Sequence, residues 1–320
     1  MHMRDVWIFP GHGCQYVGMG GQVLASSSKA KVLVELAEDC LRLPLRTLLE
    51  KGKSFELQQP QVLEPLLLIV QCTYVDLLKD RYGSAGKIAG YSAGILAACY
   101  AAGVASAETM LTIAVCRGRI LKQAASSHTG GMLAVYGIET RRILDVISEA
   151  SDLSDQLTIA AYNAVRHTTL TGDVKDLKFI SRQLRAQGAE TAFIEAAGAW
   201  HSHLAQQAAS ETRCVMDSFS LKKPEGWLLC GDRTRPLRTV DDVRDAIAFS
   251  ISRPIQWALL ISNMIDQGSQ VFIDIGPGRT LYSFFTQMEL PDDVTCHYLE
   301  RNRGRYSIPH CYQKTSVACA

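Results

Sequence analysis

The chain has 320 residues, 33 Lys and Arg against 32 Asp and Glu, and 47% hydrophobic residues. Such a balance offers no field suited to nucleic acid or an anionic membrane, and the length suffices for one large or two modest domains with a sizeable core. Ten cysteines are scattered singly, without C-x-x-C pairs or histidines at metal spacing. Neither a zinc site nor a disulfide framework is indicated, and reduced thiols are expected.

The start, Met1-His2-Met3-Arg4-Asp5, lacks a charged segment followed by a long apolar one. The apolar stretch around residues 66–70 is cut short by Glu64-Pro65 and Asp76, below the length of a bilayer-spanning helix. A cytoplasmic protein is expected. The first strand is predicted at 7–9 and ends abruptly in Pro10-Gly11-His12-Gly13, a loop type that turns backbone N–H groups towards an oxyanion. A helix follows at 63–78 and a strand at 88–89.

Next comes Gly90-Tyr91-Ser92-Ala93-Gly94, the most informative feature of the chain. A Ser in G-x-S-x-G between a strand and a helix, here 95–102, forms a nucleophile elbow, with the glycines permitting the tight turn and the helix N-terminus facing the Ser oxygen. The reading points to acyl transfer or hydrolysis. A further helix is predicted over 107–124. Residues 132–194 then read strand 132–136, helix 141–149, strands 157–161 and 167–172, helix 177–187 and strand 190–194, the ferredoxin-like β-α-β-β-α-β order. His201 and His203 lie in a Gly-marked junction ahead of a helix predicted at 204–216. A last strand is expected at 270–275, and residues after Glu300 read as a tail. Strands alternating with longer helices argue for α/β architecture with a largely parallel sheet.

A serine hydroxyl needs a base to accept its proton, and spacing leaves both His201 and His203 available. Arg117 follows Ile113-Ala114-Val115-Cys116 in an apolar helix, where a guanidinium is costly to bury unless it meets a carboxylate. The carboxylate is either a substrate's or a structural acid's, unless the side chain snorkels to the surface.

Together the segments resemble the malonyl-CoA:acyl-carrier-protein transacylase family, which includes the acyltransferases of fatty-acid and polyketide synthases. The resemblance runs over about residues 5–290. It is carried by Phe9-Pro10-Gly11-His12-Gly13-Cys14-Gln15, the elbow, Arg117-Gly118-Arg119, Gly131-Met132-Leu133-Ala134-Val135, Ala161-Tyr162-Asn163, Trp200-His201-Ser202 and Asp274-Ile275-Gly276-Pro277-Gly278. It implies an α/β-hydrolase-like catalytic subdomain from residues 1–131 and 195–300, an inserted ferredoxin-like subdomain at 132–194, and a tail at 301–320.

The resemblance also implies roles. Ser92 is the nucleophile and His201 its base, oriented by the backbone carbonyl of Ser250, where the family usually carries Gln. Backbone N–H groups of Ala93 and His12 form the oxyanion hole. Arg117 pairs with the free carboxylate of a malonyl-type acyl group, and Tyr91, Trp200 and Asn163 shape the pocket. The chain departs from the family at His12 for Gln, Tyr91 for His, Ala93 for Leu, Ile95 for Glu and Trp200 for Phe.

The implied reaction moves malonyl from a CoA thioester, malonyl-CoA, to the phosphopantetheine thiol of an acyl carrier protein acting in trans. It proceeds by a ping-pong acyl-enzyme, with no metal or bound cofactor. The rivals are transfer of a larger acyl group between two carrier proteins, an editing thioester hydrolase, and a catalytically silent scaffold. Arg166, Arg253 and Arg279 are candidates for meeting an acidic carrier.

Overall fold

Val6, Trp7, Ile8 and Phe9 are all buried, and the first strand, β1 (His2–Phe9), accordingly lies in the middle of a sheet covered on both faces. The computed structural model describes residues 2–127, 130–150, 157–194, 198–301 and 304–309. With β2 (Ala85–Gly90), β3 (Gly130–Tyr136), β4 (Thr158–Ala164), β5 (His167–Asp173), β6 (Glu190–Ile194), β7 (Trp227–Cys230), β8 (Val271–Asp274) and β9 (Thr295–Tyr298), the chain builds two sheets, and β10 (Glu300–Arg301) and β11 (Arg305–Tyr306) pair as a small third one.

The larger sheet has the order β7-β2-β1-β8-β9, every pair parallel. Alternation along β1 divides its core: Trp7 and Phe9 join one apolar cluster, Val6 and Ile8 another. The first of these clusters contains the helix Pro60–Tyr82, which is buried along most of its length. The structure lengthens the helix expected at 63–78, which already contained Pro65, and corrects the expectation that the apolar stretch falls short of a spanning length. Burial on all sides outweighs the roughly 3 kcal/mol that a helix-interior proline costs. The resulting 23-residue helix is long and apolar enough to cross a membrane by length and composition, yet 83% of its apolar window is buried inside the fold, as in a core helix.

The smaller sheet is antiparallel in the order β4-β5-β3-β6, the ferredoxin-like arrangement. Leu133 and Val135 of β3 face the helices Thr140–Glu149 and Val174–Ala186 through Ile143, Leu177 and Ile180. Met132, Ala134 and Tyr136 therefore point the opposite way, towards the elbow. β4 is tied to the segment before the helix Trp257–Asp266, with Tyr162 N–H donating to Ile255 O at 2.8 Å and Ile255 N–H to Ala160 O at 2.8 Å, and the next residue, Gln256, donates its N–H to Gly231 O just after β7 at 2.7 Å.

Four short strands, β7, β9, β10 and β11, escape the sequence reading. The helix expected at 204–216 starts at Gln206, after a tight turn at His203–Ala205. Just before the expected tail, Glu300 is buried, accepting from Tyr74 Oη at 2.5 Å and from Gly20 N–H at 3.0 Å, and within the tail Tyr306 and Ile308 lie against the core. The remainder, residues 310–320, lies outside the described residues, as do Ala196 and Ala197 of the histidine junction. All eight cysteines among the described residues are free.

Candidate active site

Ser92 follows β2 and holds a left-handed backbone with φ 54°, a conformation that costs a non-glycine residue on the order of 1–3 kcal/mol and that surrounding packing must enforce. The enforcing contacts are the glycines. A Cβ on Gly94 would stand 2.0 Å from Phe9 O, and one on Gly90 would stand 2.5 Å from Ile95 Cα. Only glycine lets the short turn Ser92–Gly94 and the helix Ile95–Ala101 close down on β1 and β2. The Pro10–Gly13 loop abuts the same turn: a Cβ on Gly11 would lie 2.8 Å from Ser92 Cβ and 3.0 Å from Ala93 N. The backbone segments that carry the Ala93 and His12 N–H groups thus meet beside the serine.

His201 also has a left-handed backbone, φ 63°, and its N–H donates to Ile251 O at 2.5 Å. Its Nε2 lies 2.9 Å from Ser92 Oγ, while Nδ1 lies 2.8 Å from Ser250 O and 3.2 Å from Arg253 O. Carbonyls only accept, so Nδ1 carries the hydrogen and Nε2 presents its lone pair to the serine hydroxyl. Burial pushes the imidazole down to about 4, helped by the nearby Arg117 and His12 and opposed by the Arg253 and Ser250 carbonyls. At neutral pH the ring is an uncharged acceptor. His203, the other histidine that spacing allowed, starts the turn after the junction, and the serine contact belongs to His201.

A cavity of about 170 Å³ opens in front of Ser92 and His201, walled by Met132, Tyr136, Trp200 and Phe284 among others. That is small against the roughly 300–1,000 Å³ of sites for drug-sized ligands, a volume for an acyl group and not for a whole CoA. Tyr91 and Trp200 line it. Asn163 does not: it is buried behind Tyr91, accepting from the Tyr91 hydroxyl at 2.8 Å and donating to Thr169 Oγ1 at 3.1 Å. Its effect on the pocket passes through the Tyr91 ring, which stands edge-on to Trp257 and Phe284.

Sequence reasoning missed His167, Tyr136, Met132 and Phe284 as lining residues. The first three had a signal, since they occupy the face of β3 and β5 opposite the apolar alternation; Phe284 had none. Burial pushes His167 down to about 4, so it too is an uncharged ring in the wall.

Arg117 is placed otherwise than as an open anchor. Its side chain is 1% exposed, and Nη1 donates to both oxygens of Glu64, at 2.5 and 2.6 Å. Glu64 comes from the helix Pro60–Tyr82 and Arg117 from the helix Ala107–Ser127. The helices approach closely at Gly118, where a Cβ would stand 2.8 Å from Pro60 O. His12, a wall residue, brings Nε2 to 2.9 Å from Glu64 Oε1, off the line of a good hydrogen bond. Burial opposes ionisation of Glu64, but Arg117 and His12 outweigh it and hold the carboxyl below its usual range. The acid and the arginine are both charged, and each is the other's counter-ion. Arg253, a candidate for carrier docking, turns its guanidinium to Asp232 at 3.3 Å, and Arg166 stands 4.0 Å from Glu139.

The model of the acyl transferase domain matches residues 6–288. The chain belongs to the acyl transferase domain family. Among similar proteins of the family, the malonyl CoA-acyl carrier protein transacylase of Bacillus subtilis (strain 168) is 25% identical over 279 residues, covering 87% of this chain and 88% of that one. The polyketide biosynthesis protein ThaF of Burkholderia thailandensis is 29% identical over 278 residues, covering 86% of this chain and 23% of ThaF.

Solved structures share the fold. FabD from Acinetobacter baumannii superposes with a TM-score of 0.83 at 21% identity, covering 95% of this chain and 96% of that one. A structure described as "PlMCAT:AntF (holo): type II PKS acyl-carrier protein in complex with its malonyl-transacylase" gives 0.83 at 21% identity, covering 93% and 96%. The protein is therefore an acyltransferase of α/β fold.

Proposed function

We propose that the protein transfers an acyl group from a CoA thioester to the phosphopantetheine thiol of an acyl carrier protein through a Ser92 acyl-enzyme. The observation that carries this is the 2.9 Å approach of His201 Nε2 to Ser92 Oγ with Nδ1 held on Ser250 O. As Ser92 Oγ attacks the thioester carbon, its proton passes to Nε2, and the thioester carbonyl oxygen becomes an oxyanion facing the Ala93 and His12 N–H groups. Collapse breaks the C–S bond, His201 returns the proton to the departing thiolate, and the ester on Ser92 remains. The carrier thiol then repeats the steps in reverse, giving up its proton to His201 and regenerating Ser92. Every proton moved is one His201 accepts and gives back, so the cycle calls for no metal and no resident cofactor.

The names of the relatives, malonyl CoA-acyl carrier protein transacylase among them, make malonyl-CoA the first donor to try. The carrier complex of a structural neighbour makes a carrier protein the acceptor to try. The test is intact-protein mass spectrometry after brief mixing with malonyl-, acetyl- and isovaleryl-CoA, followed by a holo carrier protein. An adduct on the wild type, absent from Ser92→Ala and discharged by the carrier faster than by water, is expected. Discharge by water at the same rate with and without carrier would make the protein a thioester hydrolase instead, and an adduct persisting in Ser92→Ala would refute the nucleophile.

A further inference from the structure

We infer that Glu64 is a built-in occupant of the carboxylate anchor, so that this site prefers an acyl group with no carboxylate, a short neutral alkanoyl chain. The inference rests on the acyl-transfer reading above and names the cargo of that same site.

An arginine can anchor a substrate carboxylate only if its charge is unspent and its donors are reachable. Arg117 falls short on both counts: its side chain is 1% exposed and outside the cavity lining, and a fully buried Glu64 carboxylate sits on Nη1 with both oxygens, leaving the Nε donor buried without a partner. A second carboxylate brought to this guanidinium would feel Glu64 at nearly the range at which it feels Arg117, so attraction and repulsion largely cancel. The cost of taking that carboxylate out of water would remain. The pair stands directly behind the cavity wall, because His12 both lines the cavity and lies 2.9 Å from Glu64 Oε1. The wall combines Met132, Tyr136, Ile194, Trp200 and Phe284 with the polar His12, His167, Thr169 and Thr280, and it includes no lysine or arginine. Such a wall rewards carbon and holds no fixed positive charge for an anion. Glu64 thus sets specificity through Arg117 and takes no part in the chemistry.

Isovaleryl-CoA is the discriminating probe, since its isopropyl end has the shape of malonyl's carboxylate without the charge. Two measurements on the full chain separate cargo from chemistry. Binding of isovaleryl-CoA and malonyl-CoA by calorimetry in a Ser92→Ala background reads cargo preference with no acyl-enzyme formed. Loading of the Ser92 protein by rapid-quench mass spectrometry reads the chemistry. With Glu64 present, isovaleryl-CoA should bind and load at least tenfold better than malonyl-CoA. Glu64→Gln, whose amide oxygen still accepts from Arg117, should move that ratio at least tenfold towards malonyl. Tighter binding of malonyl-CoA to the protein with Glu64 intact overturns the inference without recourse to any variant, and so does a ratio that Glu64→Gln leaves in place. The expected binding preference with no adduct on Ser92 would sink the acyl-enzyme reading and leave the cargo inference standing.

Discussion

Burial holds the His201 imidazole at about 4, against about 6.5 for an ordinary histidine, and this fixes the pH dependence of acylation. At pH 5.5 an ordinary histidine is about 9% in its basic form and one titrating at 4 about 97%, a difference of about tenfold in kcat/KM. The rate of Ser92 acylation should therefore stay level from about pH 8 to about pH 5.5 and fall only towards pH 4. An N-acetylcysteamine thioester of isovalerate suits the assay because nothing in it titrates over that range, and single-turnover rates come from quenched samples by mass spectrometry. Protonation of His201 also weakens the fold. Its lowered value contributes stability that is full above about pH 6.5 and lost as pH falls through about 4, so far-UV circular dichroism at each pH must separate loss of base from unfolding. A rate that halves between pH 6 and 7 while the protein stays folded would refute the argument, since it would mean that the imidazole is solvated and not enclosed.

Three further outcomes follow from packing and charge. Gly94→Ala puts a Cβ 2.0 Å from Phe9 O and should cost about 3 kcal/mol or more in urea unfolding, whereas Gly21→Ala, with open space around it, should change stability by no more than about 0.5 kcal/mol. Arg117→Ala leaves Glu64 buried without its counter-ion and should cost about 3–5 kcal/mol, most of it recovered in Arg117→Met with Glu64→Met, where the pair is replaced by apolar groups of similar size; chemical denaturation checks both. Burial raises Asp274 to about 7, against the two N–H groups it accepts from Tyr282 and Leu281. Its contribution is full below about pH 4 and lost as pH rises through 7, on the order of 4 kcal/mol, so Asp274→Asn should lose measurably less stability than the wild type between pH 5 and 8.

The parts of the fold that sequence disclosed are those whose local pattern already matched their final surroundings. Val6–Phe9 of β1 is an unbroken apolar run because both its faces are covered, and in β3 Leu133 and Val135 meet the helices while Met132 and Tyr136 line the cavity. The elbow was legible because its glycines sit at positions where a Cβ would strike backbone. β7 and β9 were not, being four residues each at the two edges of the sheet, too short for a periodicity to register. The position of Asn163 behind Tyr91, and not in the wall, depends on how β4 meets the distant segment at Ile255, which no local pattern encodes.

Glu64 shows where such reading stops. As part of Glu64-Pro65 it looked like no more than an interruption of an apolar stretch. Arg117 looked like a buried charge in want of a carboxylate. Both observations describe one ion pair made across 53 residues of chain. A buried arginine demands an acid, but whether the acid arrives with a substrate or comes from the protein depends on how near a second helix can lie. That distance is set at Gly118, against the backbone of Pro60. The cargo of the site is in this sense decided by helix packing: the same Arg-Gly pair in a chain with a neutral residue at position 64 would hold its charge open for an acyl carboxylate, and here the chain spends that charge on itself.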